Sequence, residues 1–224
     1  MEMVPVDAQR AYADIRDRIT SLDLAPGAQV NEQQLAEEMD LGLPPVREAL
    51  KLLAHENLIV ITPRHGLYVA DVNIPDLQQL SEIRLTLEAL SARLAADRAT
   101  PDDIAVLEAL RQEQAARVGA GSRDLLDLDH RFHKAISGAA RNKYLAAALE
   151  RLFGLSQRLW CLALPRLEGL PSAVEKHHDL VEAIRDSDGD RAEETMRQHV
   201  AQFYAHVQAI LADRALDHAQ AQQR

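Results

Sequence analysis

Residues 58–70 carry the one β-type pattern in the chain. Leu58-Ile59-Val60-Ile61-Thr62 and Leu67-Tyr68-Val69-Ala70 are runs of branched and aromatic side chains, separated by Pro63-Arg64-His65-Gly66. Turn formers between two such runs predict a hairpin with a tight, basic tip. The segments before it have helical spacing instead. Ala8, Tyr12, Ile15, Ile19 and Leu22 repeat every three or four positions and predict a helix over 6–22, broken by Ala25-Pro26-Gly27. Asn31 is a good N-cap for a short helix over 32–39, with Leu35 and Met39 on one face. After the turn Asp40-Leu41-Gly42-Leu43, a third helix over 45–55 points Val46, Ala49, Leu50 and Leu53 inward, with Pro44-Pro45 in its first turn. Three helices followed by a hairpin is the order of a winged helix-turn-helix.

From residue 74 onward no strand pattern appears. Pro75, Pro101, Gly119–Gly121, Gly138, Pro165–Pro171 and Asp188-Gly189 divide this part into six amphipathic helices. Their expected spans are 75–99, 101–118, 122–138, 141–163, 171–187 and 189–214, with a polar, frayed tail over 218–224. The expected fold is therefore mainly α. An N-terminal winged helix-turn-helix with a β-hairpin wing occupies 1–72, and a C-terminal all-α bundle of six helices occupies 73–224.

Charge limits how such a chain could hold nucleic acid. The net charge is −10, and residues 1–72 hold six Lys/Arg against twelve Asp/Glu. There is no general attraction to a polyanion, so DNA binding must come from a small basic surface, helped by dimerisation. No apolar run reaches the roughly 18 residues of a membrane span. The start, MEMVPVDAQR, lacks a basic stretch followed by an apolar one, so no secretory signal is expected. The single cysteine, Cys161 between Trp160 and Leu162, excludes an internal disulfide framework and fits a reducing cytoplasm.

The second helix of a helix-turn-helix pair presents its N-terminal residues to base edges in the major groove. Here that helix carries Pro44 at its head and Arg47 and Lys51, four apart on one face. Arg47 suits guanine or phosphate, and Lys51 suits phosphate. Arg64 and His65 at the hairpin tip can reach the DNA backbone, Gly66 permits close approach, and Gln33 can meet a phosphate. Taken singly, Arg47 is equally well a surface partner of Glu48 or Glu56; the order of elements is what favours DNA.

In the helical part, Asp129 and His133 lie one turn apart, and His177 and His199 fall in later helices. One carboxylate and three imidazoles can hold a divalent ion such as Zn²⁺, Ni²⁺ or Mn²⁺, with positions left for water or a ligand carboxylate. His178 could replace His177, and His130 adjoins the pair.

Specific stretches then point to a family. Leu24-Ala25-Pro26-Gly27, Asn31-Glu32-Gln33-Gln34-Leu35-Ala36 and Pro45-Val46-Arg47-Glu48-Ala49-Leu50 resemble the N-terminal domain of GntR-family regulators. Leu58-Ile59 and His65-Gly66-Leu67-Tyr68-Val69 match that family's wing, and the C-terminal half resembles the FCD domain of the FadR-type branch, closest in size to VanR-like members. The resemblance implies a metal held by Asp129, His133, His177 and His199. It also implies an effector pocket faced by Arg84, with Asn142 and Arg158 as further candidates. An arginine there suits a carboxylate, although a surface pair with Glu88 accounts for Arg84 equally well. One departure stands out: Gly42-Leu43-Pro44 occupies the place where the family usually has a polar or basic residue, which leaves Arg47 with more of the contact.

These readings predict a homodimeric regulator, a repressor, that binds a two-fold symmetric operator in double-stranded DNA and senses a small organic acid. Two other readings compete with it. One is a metal-dependent hydrolase using the Asp/His site, since an open-sided zinc site can activate water. The other is a structural metal in a domain that senses nothing.

Overall fold

The computed structural model describes residues 6–117, 122–163 and 171–221. The expected breaks at Gly119–Gly121 and over 165–170, and the end of the expected tail, lie outside these residues. The chain divides into two compact units. Met1–Asn73 with Gly154–Cys161 form one, and Ile74–Phe153 with Leu162–Arg224 form the other.

The first unit contains α1 (Val6–Thr20), β1 (Gln29–Val30), α2 (Glu32–Glu38), α3 (Leu43–His55), β2 (Ile59–Thr62) and β3 (Gly66–Val69). Its core joins Ala11, Ile15 and Ile19 of α1 to Val46, Ala49, Leu50 and Leu53 of α3, with Leu58 and Val69 beneath the sheet. These are the positions that the 3.6-residue period brings to one face. The Asn31 side chain accepts from the backbone of Gln33 and Gln34 at 3.0 and 3.1 Å, which starts α2. Helix α3 begins at Leu43 rather than residue 45, because prolines fit its first turn without losing a backbone bond.

The hairpin is a three-stranded antiparallel sheet of order β1-β3-β2. Ile59 faces Val69 and Thr62 faces Gly66 across β2 and β3, while Gln29 faces Tyr68 and Val30 faces Leu67 across β1 and β3. Strand β1 is absent from the sequence reading because two residues cannot display a period. The backbone ties Gly27 N→Val69 O (3.0 Å) and Val69 N→Ala28 O (2.9 Å) bring it alongside β3. At the tip, Arg64 and Gly66 take positive φ, 66° and 106°, a conformation glycine adopts freely and arginine adopts with strain.

The second unit contains α4 (Asp76–Arg98), α5 (Pro101–Ala116), α6 (Ser122–Ala139), α8 (Pro171–Arg185) and α9 (Gly189–Ala221), with the ends of α7 (Lys143–Ala163). Helix α9 packs along α4 and α8, while α5 packs on α6 and α8. Thr100 and Asp103 form a capping box at the head of α5. Helix α9 runs to Ala221 rather than residue 214, since no glycine or proline interrupts residues 215–221. No helix among the described residues is long and apolar enough to cross a membrane.

Candidate functional site

In the first unit, Gln33, Pro44, Arg47, Lys51, Arg64, His65 and Gly66 are all exposed. They come from the head of α2, the outward face of α3 and the hairpin tip. Gln33, Arg47, Arg64 and Gly66 line one open cleft of about 710 Å³. Arg47 pairs through Nε with Glu32 at 3.1 Å, not with Glu48 or Glu56, and its side chain stays 56% exposed. Glu48 instead pairs with Lys51 at 3.6 Å, and Glu56 accepts from Tyr12 at 2.7 Å. The other arginines of residues 1–72 outside the cleft are engaged within the unit. Arg10 donates to the Met39 carbonyl, Arg16 approaches Glu56 at 3.8 Å, and Arg18 holds Asp14 and Glu38 at 2.6 Å each. Asp14, Glu32, Glu38, Glu48 and Glu56 are engaged in these pairs, and Arg64 and His65 stand exposed at the wing.

In the second unit, α6 contributes Asp129 and His133, α8 contributes His177 and α9 contributes His199. One donor atom from each lies within 4.8 Å of all the others. His177 is fully buried, and His133 and His199 are each 5% exposed. His133 Nε2 and His177 Nε2 stand 3.1 and 3.3 Å from His199 Nε2. Asp129 Oδ1 stands 3.8, 3.4 and 3.9 Å from the nitrogens of His133, His177 and His199. Metal–nitrogen bonds of about 2.0–2.1 Å in a tetrahedral shell separate donor atoms by about 3.3 Å, so this donor set fits a divalent ion. His178 points away, half exposed, toward Glu182 at 3.7 Å, and His130 bonds Glu150 at 3.1 Å and stacks on Phe153 at 3.7 Å.

The ring nitrogens turned away from the cluster are held as well. His133 Nδ1 meets Glu88 Oε2 at 3.0 Å, and His177 Nδ1 meets Gln114 Oε1 at 2.7 Å. Such outer contacts fix ring orientation and tautomer, leaving Nε2 as the donor. Glu88 is itself bound by Arg84 at 2.5 Å, and Arg84 reaches the Tyr204 hydroxyl at 3.4 Å. Burial opposes charge on Glu88, but His133 and Arg84 outweigh it and hold its pKa below the usual carboxylate range. Burial likewise opposes charge on His133, where Glu88 and Asp129 prevail and raise its pKa. At His199 burial, with His133 nearby, outweighs the pull of Glu88, drops the pKa to about 3 and keeps the ring neutral. His177 is lowered for the same reason.

The three effector candidates are not brought together. Arg84 is buried beside the cluster but committed to Glu88, so it is no surface pair. The Asn142 side chain accepts from Leu145 N at 3.2 Å and starts α7. Arg158 belongs to the first unit, where its guanidinium donates to the Ala70 carbonyl and burial drops its pKa to about 10. Sequence reasoning missed Gln114 and Tyr204, which lie 15 residues upstream of Asp129 and five beyond His199 with no motif to mark them.

Comparison with known proteins gives this arrangement a family. Residues 79–202 match the FCD domain, and residues 7–69 match the bacterial regulatory proteins of the gntR family. The chain is a GntR-family regulator with an FCD domain. Its relatives include the HTH-type transcriptional repressor RspR of Escherichia coli K12, 28% identical over 90% of this chain and 89% of the relative. A regulator from an unstable DNA locus of Streptomyces ambofaciens is 30% identical over 90% of this chain and 85% of its own. Among solved structures, E. coli McbR/YncC superposes with a TM-score of 0.81 at 24% identity, over 92% of this chain and 98% of that one. These relatives are transcription regulators, which leaves the hydrolase reading without support. In this GntR-family chain all four clustered donors fall inside the matched FCD segment, and Gln33 through Gly66 fall inside the matched DNA-binding segment.

Proposed function

We propose that this DNA-binding regulator is a homodimeric repressor. In this reading, α3 and the hairpin tip hold operator DNA through Gln33, Pro44, Arg47, Lys51, Arg64, His65 and Gly66. The second unit senses a small organic acid at a divalent metal held by Asp129, His133, His177 and His199. The observation that carries the sensing reading is the convergence of those four donors in a buried site whose outward nitrogens are already held by Glu88 and Gln114. A bound divalent ion supplies a Lewis-acidic centre for a ligand carboxylate. Arg84 acts from behind, holding Glu88, which in turn orients His133. A cavity of only about 10 Å³, room for a single water, opens beside His133 between His130, Lys134, Glu150 and Phe153. An organic acid therefore enters by moving these side chains, and it shifts a conformational equilibrium only by as much as its contacts differ between the two conformations.

The test is metal content by elemental analysis of the purified protein, with organic-acid binding and operator release followed in wild type and His177→Ala. The expected outcome is about one metal per chain, with metal and acid binding both lost in the variant. A metal-free wild type that still binds an acid overturns the metal site. A metal-loaded protein whose DNA affinity responds to no acid favours a purely structural ion.

A further inference from the structure

The head of α3 has an unusual chemistry for a surface facing DNA. Leu43, Pro44 and Pro45 are its first three residues, capped by Gly42 with no side-chain bond. A helix start normally offers free backbone N–H groups to phosphates or bases. Here two successive prolines remove two of those donors. Pro44 is exposed, and Leu43 lines the cleft one turn before Arg47, across from Ile61, which is 57% exposed on β2. The outward stripe of α3 thus begins apolar at Pro44 and continues polar through Arg47, Glu48 and Lys51. Flanking cations on α3 and at the wing fit this surface to a polyanion rather than to a second apolar face.

In the major groove, the one apolar feature that distinguishes base pairs is the 5-methyl group of thymine. We propose that Pro44, with the edge of Leu43, packs against a thymine methyl in each operator half-site, making these two residues specificity determinants alongside Arg47. This rests on the reading above that α3 enters the major groove. Specificity at that base comes from burying a methyl group and not from a hydrogen bond.

The experiment changes one methyl at a time. Full-length protein selects its preferred site from a pool of randomised duplexes. Each thymine of the selected site is then replaced singly by deoxyuracil, which removes only the methyl. Affinity is read by fluorescence anisotropy for wild type, Pro44→Ser, Leu43→Ala and Arg47→Ala. The expected result is a loss of about fourfold, the value of one buried methyl, at one thymine per half-site. That loss should vanish in Pro44→Ser or Leu43→Ala while other positions behave as in wild type. Uracil tolerated at every thymine, or a sensitivity unchanged in both variants, overturns the inference while Arg47→Ala still weakens binding. A pool with no enriched sequence, or Arg47→Ala binding as tightly as wild type, overturns the underlying major-groove reading and this inference with it.

Discussion

Gln114 shows how much a single distal contact can matter at a site of this kind. It is buried on α5, and its side-chain oxygen sits 2.7 Å from His177 Nδ1. Phe132 stacks on the face of the His177 ring at 4.0 Å between centroids. The ring is therefore fixed by one hydrogen bond and one flat contact. Gln114→Leu keeps the volume and removes the bond, freeing the ring to adopt the other tautomer. Metal affinity measured by chelator competition should fall about 10- to 100-fold with little change in fold. Affinity equal to wild type would mean that packing on Phe132 alone positions the donor. Glu88 plays the matching part for His133, but it also neutralises buried Arg84, so its removal would confound orientation with an unpaired charge.

Among the elements, those whose residues announce themselves locally were legible from sequence. Asn31 before Glu32-Gln33 marks the start of α2, and the structure shows its side chain capping that helix. Asn31→Ala should lower unfolding free energy by about 1 kcal/mol in urea titration; no change would mean that packing of Leu35 and Ala36 alone holds α2. Asp129 and His133 were legible as a pair for a similar reason, since their i, i+4 spacing lies within one helix, whereas His177 and His199 were singled out with them by the family resemblance. What brings His177 and His199 to them is the packing of α8 and α9, which no local pattern encodes. Helical phase does not separate His177 from His178; the packing of α8 sets His177 against Asp129 and His178 against Glu182. Strand β1 was illegible because its pairing depends on β3, almost forty residues away. Glu32, which pairs with Arg47, reaches it from α2 and was not among the neighbours weighed from sequence, Glu48 and Glu56.

For the whole molecule, a net charge of −10 and the pairing of Arg10, Arg16 and Arg18 leave few cations for DNA. With Arg47, Lys51 and Arg64 of each protomer of the proposed homodimer engaged, log K against log salt should fall with a slope of about −5. A slope beyond about −8 would require cations outside this surface. The donor quartet has a different consequence, one of chain topology. His133 and His199 are 66 residues apart, and His177 and His199 are 22 apart. An ion gripping all of them acts as a reversible crosslink that closes two loops in the same polymer. Since the four donors converge only in the folded chain, the ion's binding free energy would add directly to the stability of the fold. With the proposed ion bound, opening α6, α8 or α9 singly would break its shell, so each such opening would carry the cost of releasing the ion.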